Sequence, residues 1–561
     1  MNSKELLYQK RETQDAANYV SALKDNAVKI VDGKNVFDSA SASDFISQTA
    51  SQNTTKVPEK LQILLDEVGT ESAVTVSRAI LDGIAQYKEK HGVDAPADVV
   101  QQAIHLAYAT TKDAQQKYSL DSASDSNHSA NLSLQPNRAI VAILSALGEA
   151  IPFAHYLPAD ISSNEAKLAI LSHQAGSNYG AYAQGGLLDG TSSGDAYITS
   201  ARVHATTNNA GAHTGQLTSV QATDETCSAV GGNVVAVNLL RGRTNVYVNG
   251  QLCAREVNVT GSGASTVSGQ VTIAGVTSQI AGTINTDTGV IALTSAPALA
   301  DAVPVVVEGF IDYERQPSLT PLIITAVDTF ALFAKPWRTI TQQTIDSRTQ
   351  MSNELGLDPY SESIIAIQAQ YGNERHYDVL RKARRLAVNN VDTFDFNWAG
   401  MGLQKTRAQI WQDFSATLGA LSQQMAVDTM SHGITHLYVG KWLMSQMLGL
   451  PTELFQKSGT PARAGIYRIG KLFGQYEVYY TPKVVTDAGG TAQVLCIGQA
   501  PDVTRNPFVL GDAVPPTVVP LAVNADLKSG AGFYARNFTE VNPHGPSSLG
   551  VASISITNMG L

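Results

Sequence analysis

One stretch limits the architecture more than any other: from Pro359 to about Ala387 the sequence reads as a single helix. Asp358 offers a side-chain acceptor for the N-cap, and Pro359 suits the first helical position, where an N–H would be unpaired anyway. Glu362 puts negative charge in the first turn, and Arg381, Lys382, Arg384 and Arg385 crowd the last turns, so both ends complement the helix dipole. About 29 residues rising roughly 1.5 Å each make a rod of roughly 43 Å, long for an ordinary globular domain. Gly372, near its middle, is the weak point.

A chain of 561 residues is too long for one core, so several domains are expected. The texture changes twice along it. Residues 1–120 hold 13 Lys+Arg and 16 Asp+Glu, a much higher charge density than the 16% of the whole chain. Val76, Ala79, Ile80, Ile84 and Tyr87 recur at helical spacing, as do Val100, Ile104 and Tyr108, so this segment reads as a helical domain. Pro58 marks one helix start, and Gly92 follows Lys88, Lys90 and His91 at a helix end. The polar tract from Ser119 to Asn131 reads as a linker.

From Asp189 to Arg315 the pattern is β. Asn245-Val246-Tyr247-Val248 runs into Asn249-Gly250, the strongest short hairpin signal, and Asp287-Thr288-Gly289 marks a second turn. No repeat is regular enough for a propeller or solenoid. Beyond Ile323 the chain mixes α and β. Helices are expected at Arg407–Met430 and Trp442–Leu448, with strands at Ile434–Val439, Tyr476–Tyr480 and Gln493–Ile497.

A net charge of -10 disfavours a dedicated nucleic-acid binder, whose affinity comes largely from neutralised phosphates. Cys227, Cys253 and Cys496 are too few and scattered for a disulfide framework or zinc site, and read as thiols in a reducing cytosol. No apolar h-region follows Met1, and no apolar run approaches the roughly 20 residues of a membrane span, so the expectation is a soluble, unexported protein.

The search for chemistry is negative, and no catalytic, cofactor-binding or metal residue is expected. Gly465 to Gly470-Lys471 resembles a phosphate loop, but Leu472 stands where a magnesium-binding hydroxyl is needed, so it reads as a turn. Gly190-Thr191-Ser192-Ser193-Gly194 fits a nucleophile elbow by letter but lacks the strand–turn–helix setting. His432 and His436 lack the HExxH glutamate and read as structural. Glu374, Arg375 and His376 point in different directions on the long helix and read as a solvated or interfacial face. Phe473, Tyr476, Val478, Tyr479 and Tyr480 suit a core strand.

The order of the C-terminal elements carries a resemblance. Leu332-Phe333-Ala334-Lys335-Pro336-Trp337-Arg338-Thr339-Ile340 leads through Gln342 to Asn353-Glu354-Leu355-Gly356-Leu357-Asp358-Pro359 and the long helix. Arg407 to Ile497 follows with a helix, a strand around Leu437-Tyr438-Val439, another helix and hairpin strands. Val514-Pro515-Pro516-Thr517-Val518-Val519-Pro520, Gly532-Phe533-Tyr534-Ala535-Arg536, Val541-Asn542-Pro543 and Ile554-Ser555-Ile556-Thr557 close the chain. Over roughly residues 310–561 this resembles the major capsid proteins of tailed bacteriophages of the T-even type.

The resemblance implies an α+β chain with the Hong Kong 97-type capsid fold: peripheral and axial domains, a spine helix, a β-rich insertion domain and an N-terminal helical domain. The expected layout is 1–120 N-terminal helical (scaffold-like or retained), 121–188 linker and arm, 189–315 the extended loop enlarged to an insertion domain, 316–405 peripheral with spine helix, 406–505 axial, and 506–561 closing peripheral strands. It implies a non-enzymatic subunit in hexamers and pentamers of an icosahedral head, assembled in the host bacterial cytoplasm and residing in the virion. Scaffold, portal, decoration proteins and a maturation protease are the implied partners, with DNA enclosed without sequence-specific binding, no membrane and no cofactor. No lysine occurs from Leu168 to Ala334, which excludes Lys–Asn crosslinks from that loop. Leu147-Gly148-Glu149-Ala150 loosely fits the cleavage pattern of T-even type relatives, as does Leu65-Asp66-Glu67; retention of residues 1–120 is the expectation. A tail sheath or tube protein and an encapsulin-like cellular shell are the alternatives.

Overall fold

The computed structural model describes every residue except 1–2, 32–33, 53–55, 69, 119–134, 160–163, 223–233, 260–261, 356–358, 489, 522–527 and 561. The expected linker at Ser119–Asn131, Cys227 and the Asp358 cap lie within those segments, outside the described residues. Two compact units emerge, one of Met1–Ile170 with Thr329–Leu561 and one of Leu171–Asp328.

The larger unit begins with helices α1 (Ser3–Ala27), α2 (Ser39–Gln52), α3 (Glu59–Val68), α4 (Thr70–His91), α5 (Ala97–Tyr118) and α6 (Gln135–Gly148). A short hairpin, Val28–Val31 with Lys34–Phe37, interrupts them; four-residue strands are too brief to show a period in sequence. The expectation of a separate domain at 1–120 needs correcting. Val76, Ile80, Ile84 and Tyr87 of α4 and Val100, Ala103 and Ile104 of α5 share one core with Ile143 and Leu147. That core continues without a break into Val379, Leu380 and Ala383 of the long helix and into Tyr438, Tyr479, Leu495, Ile497, Phe508 and Leu510. Apolar stripes on both partners make one buried surface, and a boundary at residue 120 would cut through it.

After α7 (Ile345–Leu355) the long helix α8 runs unbroken through Pro359–Leu386. Gly372 does not interrupt it, and a Cβ there would stand 3.1 Å from the Glu149 carboxyl carbon, so the glycine makes room for α6's end. Beside α8 lies a four-stranded sheet in the order Lys335–Thr344, Lys528–Val541, Phe508–Leu521, Ala154–Tyr156. Its two 14-residue strands form a long hairpin, whose register shifts between Asp512 and Thr517, where Pro515 and Pro516 cannot donate to the ladder.

A second, eight-stranded sheet carries α9 (Arg407–Thr429) and α10 (Lys441–Leu448). Thr406 and Gln409 form a reciprocal capping box that fixes the start of α9. Ile410, Trp411, Phe414, Leu418 and Met425 then bury against Leu437, Val439, Val478, Val494 and Cys496. The last strand, Val551–Thr557, is not a closing strand of the peripheral hairpin; it sits between Thr491–Gly498 and Val391–Asp395 in this sheet. Ala552, Ile554 and Ile556 are buried there, as befits a central strand. Gly465 to Lys471 is also corrected, since Tyr467–Leu472 is a strand and not a turn. A Cβ on Gly470 would overlap the Phe455 ring and Gln456 backbone of the neighbouring strand.

The smaller unit is a nine-stranded antiparallel sheet whose two edges are Ala201–Ala205 and Thr207–Asn209. These strands are consecutive, separated by Thr206 alone, so one bent run supplies both edges, pairing with Val305–Phe310 at one end and Ala212–Gln216 at the other, and closes the sheet into a barrel. Val246, Val248, Val267, Ile280, Ile284, Ile291, Leu293, Val305 and Val307 fill its interior. Asn249 and Gly250 both have positive φ, as the two-residue hairpin turn demands, and Gly289 likewise closes the second turn.

Candidate assembly surface

The residues that sequence reasoning weighed for chemistry are dispersed. Gly190–Ser192 is one exposed turn of 3-10 helix. Glu374 is exposed, whereas Arg375 and His376 turn into the fold, which corrects the reading of that triplet as a solvated face. His376 Nε2 lies 3.2 Å from the Tyr438 hydroxyl. His436 is buried in its strand against Phe153 and Tyr479, and burial lowers its pKa to about 3, as it does for His376. The His432 ring fills the space left by Gly498 and Gly550, where a Cβ would overlap it, and its pKa falls to about 4. Burial pushes the Cys496 thiol up, so that sulfur is no nucleophile. Among the described residues no cluster of three or more His, Cys, Asp or Glu is placed to hold a metal.

One arrangement in the barrel has the outline of hydrolytic chemistry. His213 Nε2 lies 3.1 Å from Ser295 Oγ, and its Nδ1 lies 2.8 Å from Asn208 Oδ1. The serine, however, also accepts from Leu299 N at 3.0 Å, lies 3.3 Å from Gly211 O, and is buried. Its hydroxyl braces a turn, so the trio is structural.

Two buried polar contacts tie the N-terminal helices to the frame. Asp98, in the first turn of α5, accepts from Tyr156 N at 2.9 Å and pairs with His155 Nδ1 at 3.0 Å. Asp512 pairs with Arg375 at 3.1 Å and accepts from Gln102 Nε2 at 3.1 Å. A lone carboxylate in the apolar run Phe508–Val514 was the available signal for this pair, but its partners are far away in sequence. Removing one member of a buried pair strands the other charge. Arg375→Met is therefore expected to cost about 3–5 kcal/mol in urea unfolding, with much of the loss regained in Arg375→Met/Asp512→Leu. A cost below about 1 kcal/mol for the single variant would count against a load shared by these groups.

The surface is unusual in the opposite sense. Every described residue of α7 is exposed, although an isolated helix of its length is marginal in water. The first half of α8 is largely exposed too, including Ile365. Lys335–Thr344 is an edge strand, paired on one side only among the described residues. Ile340 on that strand is 64% exposed and nearby Phe333 61%. In the smaller unit Leu322, Ile323, Ile324 and Val327 stand exposed in one run. Ordered helices and an edge strand with apolar side chains facing water are what a subunit awaiting neighbours presents.

No protein-family model matches the chain, and no curated protein matches it. Solved structures do. The capsid of the jumbo bacteriophage PhiKZ aligns with 73% of this chain and 93% of its own, at 10% identity and a TM-score of 0.35. The capsid of the Myoviridae phage XM1 aligns with 42% of this chain and 78% of its own, at 10% identity and a TM-score of 0.28. The holo-SrpI encapsulin complex of Synechococcus elongatus PCC 7942 aligns over the same shares at 10% identity and a TM-score of 0.25.

Proposed function

We propose that this chain is the major capsid protein of a tailed bacteriophage, a structural subunit that assembles into the icosahedral head. The observation that carries the reading is the set of ordered elements left open to water: α7, the first half of α8 and the edge strand Lys335–Thr344. They follow one another in the chain and lead into a long, well-packed helix, so they are extensions of a rigid frame and not frayed ends. Heterologous contacts among many copies would cover them and close a shell. In this reading α8 is a strut, the eight-stranded sheet with α9 and α10 forms contacts around each capsomer centre, and the barrel reaches a neighbour. Hexamers and pentamers are the expected units.

Residues 1–120 stay with the shell in this reading. The Leu147-Gly148-Glu149 cleavage match sits at the end of α6, where Lys90 Nζ donates to Gly148 O at 2.8 Å and Glu149 packs on Gly372. Leu65 of the other match is buried within α3.

Ile340→Asp combined with Ile365→Asp tests the surface. Both side chains are exposed, so the thermal unfolding of the subunit is expected to move little, by about 0.5 kcal/mol or less. Shell formation, followed by sedimentation velocity, is expected to fall at least tenfold. Unchanged yields of shells from a normally folded variant would count against this surface as the interface.

A further inference from the structure

The chain is acidic overall, yet one face of α8 is not. Arg381, Arg384 and Arg385 are all exposed near its C-terminal end, and at spacings of three and four residues they share a face. None forms a side-chain ion pair among the described residues. Lys382 differs: it turns away to Asp378 at 2.9 Å and to Thr539 O on the long hairpin. A fourth cation joins from another element. Lys483, exposed in the loop after Tyr476–Tyr480, lies over the Tyr377 ring at 5.5 Å, one turn before Arg381 on the same helix. Four cations from two elements thus line one helix face over about two turns, from Tyr377 to Arg385. Because the helix runs to Leu386, only Arg384 and Arg385 fall in its last turn, where the dipole favours them; Arg381 stands a turn earlier than the sequence suggested, and Lys483 on another element.

We propose that this patch is a contact for the phosphate backbone of double-stranded DNA. The inference rests on the capsid reading and deepens it, assigning to the shell a sequence-independent foothold for the enclosed genome. Side chains three and four residues apart on a helix stand roughly 5–6 Å apart at Cβ, close enough for long guanidinium arms to reach successive phosphates. Arginine presents the planar fork that matches phosphate oxygens, and three of the four cations are arginines. With a net charge of -10 on the whole chain, binding is confined to this patch and stays weak, so DNA is steadied without being trapped. Pairing with carboxylates of a second copy is the competing use, and the experiment separates the two.

The full-length chain is titrated into a fluorescent 30-base-pair DNA of arbitrary sequence, and anisotropy is read across a range of salt concentrations. The variant Arg381→Gln/Arg384→Gln/Arg385→Gln/Lys483→Gln is compared with a control, Lys441→Gln/Lys457→Gln/Arg463→Gln. The wild-type chain and the control are expected to bind alike. The patch variant is expected to bind at least tenfold more weakly at low salt. Its log–log salt slope should be shallower by about 0.9 for each phosphate that is no longer neutralised, up to about 3.6 for all four cations. An equally weakened control, or a patch variant that binds as the wild type does, overturns the proposal. So does a patch variant that keeps DNA binding but no longer forms shells, since the cations would then serve another copy. Patch-dependent DNA binding by a chain that never forms shells would support the site and sink the capsid reading instead.

Discussion

Deleting residues 1–134 is expected to leave a chain that does not reach a folded state. The deletion uncovers Val379, Leu380, Tyr438, Tyr479, Leu495, Ile497, Phe508 and Leu510, which share a core with α1 to α5 in the intact chain. Fully burying a large apolar side chain contributes about 1.5–3 kcal/mol, so partial exposure of eight of them costs on the order of 10 kcal/mol. That equals the whole stability of a typical domain, about 5–15 kcal/mol. The deletion also strips Asp98 from His155 and Gln102 from Asp512. The expected result is insoluble protein, or a soluble form without near-ultraviolet circular dichroism. A truncated subunit that unfolds cooperatively near the full-length midpoint would overturn the single-core description. Under the capsid proposal, mature particles should likewise contain subunits whose mass includes this segment.

Acid should be the second large perturbation. His91, His376, His432 and His436 are buried, three of them among the rings of Tyr87, Phe153, Tyr438 and Tyr479, and desolvation is the leading cause that keeps each neutral. Lys90 adds repulsion at His91 and His376. All four therefore titrate below the ordinary range in the folded chain, near pH 3 to 4 where values are assigned, but near 6.5 once unfolded. Above pH 6.5 neither state binds these protons, and stability is unaffected. As pH falls from 6.5 toward 4, the unfolded state takes up protons that the folded state refuses, and stability drops. Each group contributes about 1.4 kcal/mol per pH unit, so the three with assigned values remove up to about 8 kcal/mol at pH 4.5, and His91 acts in the same direction. Urea midpoints should fall steeply between pH 6.5 and 4.5, with His436→Phe flattening the curve while leaving pH 7.5 stability nearly unchanged. A flat profile down to pH 4.5 would contradict the account.

What the sequence disclosed was local. Asn249-Gly250 sets its hairpin through the φ values of two residues, and Ile434–Val439 and Tyr476–Tyr480 form at the expected residues because a buried apolar run bounded by polar turns has few alternatives. The long helix follows in the same way from its dipole-matched ends. What stayed hidden depends on distant pairing. The barrel closes because one bent run meets two strands far apart in sequence, and no local pattern encodes that meeting. The Asp512–Gln102 bond spans 410 positions. The charge-rich start of the chain reads as a separate helical domain, yet its apolar stripes are absorbed into the common core. The run Leu322-Ile323-Ile324 is apolar enough to be buried, and a single chain leaves it exposed.

Electron microscopy of the purified full-length chain, concentrated under assembly conditions with and without lysate of its source, tests the central claim most directly. Closed icosahedral shells, or rings of five and six subunits, are the predicted result. A chain that remains a dispersed monomer under every condition, with its exposed edge strand and α7 ordered nonetheless, would contradict it.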